Sequence, residues 1–323
     1  MKITIALATY NGAQYLAEQL QSYLDQNRIP DELVISDDCS TDETCNLIDR
    51  FSEIAPFDVR LTRQPMHLGY VANFDCALSM ATGDLIFLSD QDDVWLPQKI
   101  SEVCEFIDKN PDFLLFLNDA EITKDDLSPT GLTKLGQLRS AGSPDSTFVM
   151  GCCCAIRREL LDLSLPIPEG AKGHDNWLVD FSNGLGVVLV LESVLQLYRR
   201  HSSNESLVIA NSLRRIHSID RLKLQLARAL SRDADAYAET EIRHLEQLHL
   251  ACHRAIGRCD GKYDIKISQY EKHLDSKINF LHIRRELRRE ALYIRAINAS
   301  RLWLSGAYRE SNGLKSMIRD LLG

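Results

Sequence analysis

Short apolar runs alternate with longer amphipathic stretches over the first hundred residues. Residues 3–8 are apolar or β-branched and predict a strand. Residues 13–26 place Leu16, Leu20 and Leu24 on one face at helical spacing and predict a helix, and residues 33–36 predict a second strand. Ser40-Thr41-Asp42-Glu43 fits a capping box ahead of Leu47, Ile48 and Phe51, which predicts a helix start there. A strand at 59–61, a helix at 71–81 and a strand at 85–88 complete the series. Such alternation predicts parallel strands in a doubly wound α/β layer.

Between 113 and 200 the pattern loosens into short strands at 113–117, 148–150 and 187–191, an α+β continuation of the same domain. Beyond Asn211 the sequence is helical in texture and lacks proline, with Leu213, Ile216, Ile219, Leu222, Leu226 and Leu230 at helical spacing. The boundary is expected near 205–212, giving a domain over 1–208 and an all-α C-terminal region over 209–323.

Charge sharpens this division. The 323 residues carry 37 basic and 46 acidic side chains, net −9, which argues against a nucleic-acid binder, because displacing counterions needs a basic footprint. Residues from 212 on carry 22 basic and 14 acidic side chains, net +8, leaving −17 for 1–211. Nine cysteines without a CxxC pair, and without a secretory signal, are expected to be reduced cytosolic thiols. Cys152-Cys153-Cys154 is read as three small packing residues. Lys2 followed by a short apolar run ending at Ala8 mimics a signal peptide but is too short for one. No stretch reaches the roughly 18 uncharged apolar residues of a membrane span, so a soluble or peripheral protein is expected.

In doubly wound sheets ligands bind beyond the carboxyl ends of the strands. Four segments fall there: Thr9-Tyr10-Asn11-Gly12, Asp37-Asp38, His67-Leu68-Gly69 and Ser89-Asp90-Gln91-Asp92-Asp93. Closely spaced carboxylates at a strand end fit a shared hard cation such as Mg²⁺ or Mn²⁺. Alternatively, Asp92 and Asp93 serve the start of a helix containing Pro97. The EF-hand spacing, GxGxxG and the P-loop are all missing.

Several ordered motifs together resemble family 2 glycosyltransferases with the GT-A fold, an α/β architecture with a Rossmann-like mixed central sheet flanked by helices. They are residues 8–12 (Ala8 to Gly12), 34–42 with Asp37-Asp38, 83–93 ending in Asp90-Gln91-Asp92-Asp93, and His174-Asp175-Asn176-Trp177. The rhamnosyltransferase-like branch is most similar, through Asp90 to Trp95, Gly151-Cys152, His174 to Trp177 and Tyr198-Arg199-Arg200-His201. The resemblance spans residues 3–204.

The resemblance implies that Thr9, Tyr10 and Asn11 line a nucleotide pocket and that Asp38 accepts from the imide N–H of uracil or thymine. Asp92 is then the more direct ligand of Mn²⁺ or Mg²⁺, Asp90 lies nearer the ribose or a metal-bound water, and Asp175 is the catalytic base. His201 would complete the metal shell or touch diphosphate, and Arg199 or Arg200 would neutralise phosphate; the alternative is a solvent-facing basic turn at the domain boundary. His174 is an orienting neighbour of Asp175 or an acceptor contact. For Trp95 and Trp177 two readings stay open, an acceptor-sugar platform and core packing.

The implied activity is inverting, metal-dependent transfer of a sugar, L-rhamnose in this branch, from a UDP- or dTDP-linked donor to a surface polysaccharide or lipid-linked oligosaccharide. The alternatives are a sugar-nucleotide nucleotidyltransferase, which wants a Gly-rich phosphate loop after the first strand, and a non-catalytic nucleotide-sugar scaffold. A cytoplasmic location is expected. The helical region is read either as a peripheral attachment to the inner face of the cell membrane, through Arg284, Arg285, Arg288 and Arg289, or as a homodimer surface. His249 and His253, at i and i+4, have a metal-capable spacing but no third ligand in the sequence.

Overall fold

A computed structural model of the chain describes residues 1–202, 204, 211–221, 223, 234–310 and 313–322. Two compact units are present, Met1–Arg221 and Leu222–Gly323. The boundary expected at 208/209, and Leu222, Leu226 and Leu230, lie outside the described residues.

The first unit is built on a nine-stranded mixed sheet. Its strands are β1 (Ile3–Thr9), β2 (Glu32–Asp37), β3 (Asp58–Arg63), β4 (Leu85–Ser89), β5 (Val94–Trp95), β6 (Leu115–Thr123), β7 (Pro129–Thr133), β8 (Cys154–Arg157) and β9 (Val188–Arg199). The order is β3-β2-β1-β4-β8-β6-β9-β5, with β7 on β6. β1, β2, β3 and β4 run parallel, as the alternation predicts, while β8 enters antiparallel to both β4 and β6 and makes the sheet mixed. The helices are α1 (Ala13–Leu24), α2 (Thr44–Ser52), α3 (Tyr70–Met80), α4 (Lys99–Lys109), α5 (Lys134–Ser140), α6 (Arg158–Ser164) and α7 (His174–Leu185).

β2 and β4 are buried throughout and β1 almost so, because both faces of the inner sheet are covered by helices. β3 is the polar edge. Glu32, buried at the start of β2, accepts from Thr4 Oγ1 at 2.5 Å and the Thr82 backbone at 3.0 Å and pairs with Arg60, so one carboxylate ties three strands and the end of α3. Leu7 pairs with Ser89 and Thr9 with Asp37, which brings the carboxyl ends of β1, β2 and β4 to one crest.

Four expectations change. The capping box does not form: α2 starts at Thr44, and Asp42 instead accepts from the Thr44 backbone at 3.0 Å, from Thr44 Oγ1 and from the Ala13 backbone. Residues 148–150 form no strand but lead into a 3-10 turn, Gly151–Cys153, before β8. β9 extends well past 191, because a register shift against β6 absorbs the polar Glu192-Ser193 that reads as a strand end. Segment 212–217 is also not helical: the Gln137 amide holds it by the carbonyls of Ser212 and Arg214 and the N–H of Ile216.

The second unit contains α8 (Ala234–Ala255), α9 (Asp264–Arg289), α10 (Leu292–Leu304) and α11 (Leu314–Leu322). α8 packs on α9 through Leu245, Leu248 and Cys252 on one side and Ile267, Tyr270 and Leu274 on the other. His249 and His253 both face Glu271, and His249 also lies 3.0 Å from Asp275, so the pair joins two helices through carboxylates. Arg284 makes a two-pronged bond to the fully buried Asp320 at 2.6 and 2.8 Å, joined by Arg288 and the Tyr308 hydroxyl. Arg285 reaches Glu239 and Arg289 reaches Glu286, so the four arginines expected to meet a membrane all have carboxylate partners within the unit. No helix among the described residues is long and apolar enough to cross a membrane.

Candidate active site

The crest assembles from loops that grip one another. Gly12 has no side chain, and a Cβ there would lie 2.2 Å from Gln91 Oε1, so the Gln91 amide can lie across the 10–12 turn. It accepts from the Tyr10 N–H at 2.9 Å and donates to the Tyr10 carbonyl at 3.0 Å. Asn11, in a left-handed conformation at φ 45°, accepts from the Thr41 N–H at 2.8 Å while its own N–H goes to Ser40. Thr9 donates to Asp37 at 2.8 Å. Asp38 is 1% exposed; its two oxygens accept from Leu68 and Gly69 N–H groups at 2.6 and 2.9 Å, and His67 lies 3.0 Å away. The exposed Tyr10 ring packs on His67 at 4.6 Å.

Beyond β4 the chain carries its carboxylates past three neighbours. Tyr23 and Gln19 of α1 both hold the Ser89 hydroxyl at 2.6 Å, fixing where β4 ends. Asp90 is half-buried and meets Asp93, Asp92 and Asp175; burial and these like charges push its carboxyl well above the usual carboxylate range. Asp93 is fully buried, accepts from Gln196 at 3.0 Å and the Arg199 backbone at 3.2 Å, and is pushed up to about 7 by burial and then by Asp92. Asp92 accepts from His201 Nε2 at 2.8 Å and Asn204 at 3.0 Å. The donor atoms of Asp90, Asp93 and Cys152 lie within 4.8 Å of one another. Asp92 and Asp93 are not a helix start, because β5 intervenes before α4.

Asp175 occupies the first turn of α7, where a carboxylate complements the helix N-terminus. Its neighbour His174 is 6% exposed, stacked on Phe74 at 3.7 Å, and has no hydrogen-bond partner at either ring nitrogen. Burial pushes the imidazole down and keeps it neutral. Thr9, Tyr10, Asn11, Asp38, Asp90, Asp92, Asp175 and His201 thus come from separate stretches of chain to one end of the sheet.

For Trp95 and Trp177 the core reading holds, and Arg199 does not serve as expected. Trp95, 2% exposed, packs between Tyr23 and Phe87, and Trp177, fully buried, donates to the Ser164 carbonyl; neither ring can carry a sugar. Arg199, 4% exposed, spends its guanidinium internally, on the Asp92 carbonyl at 2.9 Å, the Asp125 carbonyl at 2.6 Å and the Glu18 carboxylate, with the Tyr15 ring over it. It pins the carboxylate loop and offers nothing to a phosphate.

Lys99, Gln196 and Asn204 escaped the sequence reading, and Gln91 and Asp93 entered it only as members of the acidic run. Lys99 is fully buried, 4.0 Å over the Trp95 ring, and bonds the Cys152 carbonyl at 2.9 Å and the Gln196 amide oxygen. Gln196 therefore relays between an ammonium and the Asp93 carboxylate. The one signal for this was a lysine two residues after Pro97, at the start of an otherwise buried helix face.

A family profile described as Glycosyl transferase family 2 matches residues 4–164. An uncharacterized glycosyltransferase of Nostoc sp. is 29% identical over 66% of this chain and 69% of its own length. The dTDP-rhamnosyl transferase RfbG of Shigella flexneri is 28% identical over 62% of this chain and 73% of its own. Among solved structures, S. aureus TarS 1–349 in complex with UDP-GlcNAc is similar at a TM-score of 0.53, 17% identity, 86% of this chain and 92% of that one. The mannosyltransferase PcManGT of Pyrobaculum calidifontis, in complex with GDP-Man and Mn²⁺, is similar at 0.50, 16% identity, 99% and 86%. Both likenesses bear on the fold.

Proposed function

The chain belongs to glycosyl transferase family 2, and we propose that it moves a sugar, with inversion, from a nucleoside-diphosphate donor to a hydroxyl of a surface polysaccharide or lipid-linked oligosaccharide. The observation that carries this reading is that Asp90, at the end of β4 on the crest where β1 and β2 also end, is buried beside Asp93 and Asp92 and feels the charge of Asp175. L-rhamnose on dTDP is the donor we favour, from the similarity to RfbG and the motifs shared with that branch.

The nucleotide lies against Thr9, Tyr10 and Asn11, with Asp38 toward the base: its Oδ1 takes one backbone N–H, from Leu68, and keeps a lone pair for an imide donor. Asp90 and Asp93, both pushed up by burial and then by neighbouring carboxylates, are the donor chemistry that a hard divalent cation relieves. Mn²⁺ or Mg²⁺ held by Asp92 and Asp90, with His201 beside them, would supply positive charge against the departing diphosphate. Asp175 takes the acceptor hydroxyl's proton as that oxygen attacks. His174, neutral and stacked on Phe74, fixes the turn from which Asp175 projects. The reaction runs at the cytoplasmic face of the membrane, with the helical region from 209 on serving attachment.

Purified chain supplied with UDP- and dTDP-sugars is expected to release nucleoside diphosphate slowly with Mn²⁺ and not with EDTA. Asp175→Asn should keep donor affinity while transfer falls by about 10²-fold or more. Pyrophosphate exchange in place of diphosphate release, or nucleotide binding without either, overturns the assignment.

A further inference from the structure

A helix on the surface of a soluble unit normally turns its polar side outward. α10 does the reverse. Tyr293, Ile297 and Leu304 fall on one line with Ser300 at i, i+4, i+7 and i+11 spacing, and the three apolar residues are 70%, 52% and 85% exposed. Leu292 and Trp303 extend the apolar strip on one flank, and exposed Arg301 borders the other. On the opposite side only Ala299 is fully buried.

We propose that this outward face docks on an anionic lipid bilayer, the helix lying in the headgroup plane without crossing it. The choice of occupant follows from charge. α10 has no Asp or Glu among its thirteen residues, and Arg301 borders the strip, while Arg295 lies on the other side of the helix and bonds the Glu290 carbonyl. A second copy laid on the same strip would set one acid-free helix against another, with like charges facing and none to neutralise them. An anionic headgroup layer supplies the missing countercharge, and the apolar strip enters the acyl boundary. Tyr293 and Trp303, near the two ends, are the side chains whose apolar bodies and polar tips suit that depth. The arginines of α9 do not contribute, since Arg284 and Arg288 are held by Asp320. This inference rests on the attachment role proposed above for the helical region and names the face that performs it; sugar transfer to a soluble acceptor does not depend on it, so the two readings fail separately.

Co-sedimentation of the full chain with phosphatidylcholine vesicles, with and without phosphatidylglycerol, tests it. The wild type is expected to pellet with the anionic vesicles and to be partly released by salt. The triple variant Tyr293→Ser, Ile297→Ser, Leu304→Ser, with circular dichroism unchanged because these side chains are exposed, should partition at least tenfold less. Wild type remaining in the supernatant at low salt, or a triple variant binding as well as wild type, overturns the proposal. So does a wild-type dimer by light scattering that the triple variant turns into a monomer, since a second copy would then cover the strip.

Discussion

Gly151 places the proposed base by lacking a side chain. A Cβ at this position would come within 2.6 Å of His174 Nε2 and 3.4 Å of Asp175 Cβ, and the buried His174 ring has Phe74 on its other face. Gly151→Ala should therefore push the ring and the first turn of α7 outward. Transfer is expected to fall by more than about tenfold, while the affinity for nucleotide changes little; affinity falling in parallel would place Gly151 in the nucleotide pocket instead. Lys134 shows the reverse situation, a charge kept in the core. It is 3% exposed, bonded to Asn211, and 4.2 Å over the Tyr198 ring, and burial pushes its ammonium down to about 8. A lysine whose pKa is lower folded than unfolded contributes stability that is present above the unfolded value, near 10.5, and lost as pH falls through about 8. Wild type should thus gain on the order of 3 kcal/mol between pH 8 and 10.5 relative to Lys134→Met, read as the difference between two urea denaturation series. Parallel series would mean the lysine is hydrated in the fold.

Elements with continuous or strictly periodic apolar residues were legible in the sequence: β1, β2, β4, α1 and α3 lie within two residues of where periodicity predicts them. What escaped depends on tertiary partners. α2 begins late because Asp42 serves both Thr44 and the Ala13 N–H, a contact between distant loops that no local motif encodes. Trp95, Trp177 and Arg199 look like ligand contacts by type, and only packing shows them buried. At the site, the carboxylates and their strand ends were legible, while Gln91, Lys99 and Gln196, uncharged or hidden inside helix and strand patterns, were not. The helices of the second unit were equally visible as texture, but their arginines acquire meaning only from Asp320. Asp320→Asn leaves Arg284 and Arg288 without their buried counter-charge and should destabilise that unit by about 3–5 kcal/mol. Loss of helical signal at lower urea than in wild type checks it; coincident curves would mean that water replaces the carboxylate.

At the scale of the whole molecule, the chain forms two compact units. The family match ends at 164, inside the first unit and before α7 and β9 begin. The matched stretch contains the crest loops, and everything that holds Asp92 from behind comes after it. Asp92 and its partners His201 and Asn204 are 109 and 112 positions apart. Such long separations make closure a late event in folding. During synthesis, at roughly 5–20 residues per second, the carboxylate loop leaves the ribosome about 5 to 20 s before the strand end that steadies it. For that interval the nascent chain presents a half-built anionic loop. A metal ion captured early would meet Asp90 and Asp92 while their neighbours are still free to rearrange.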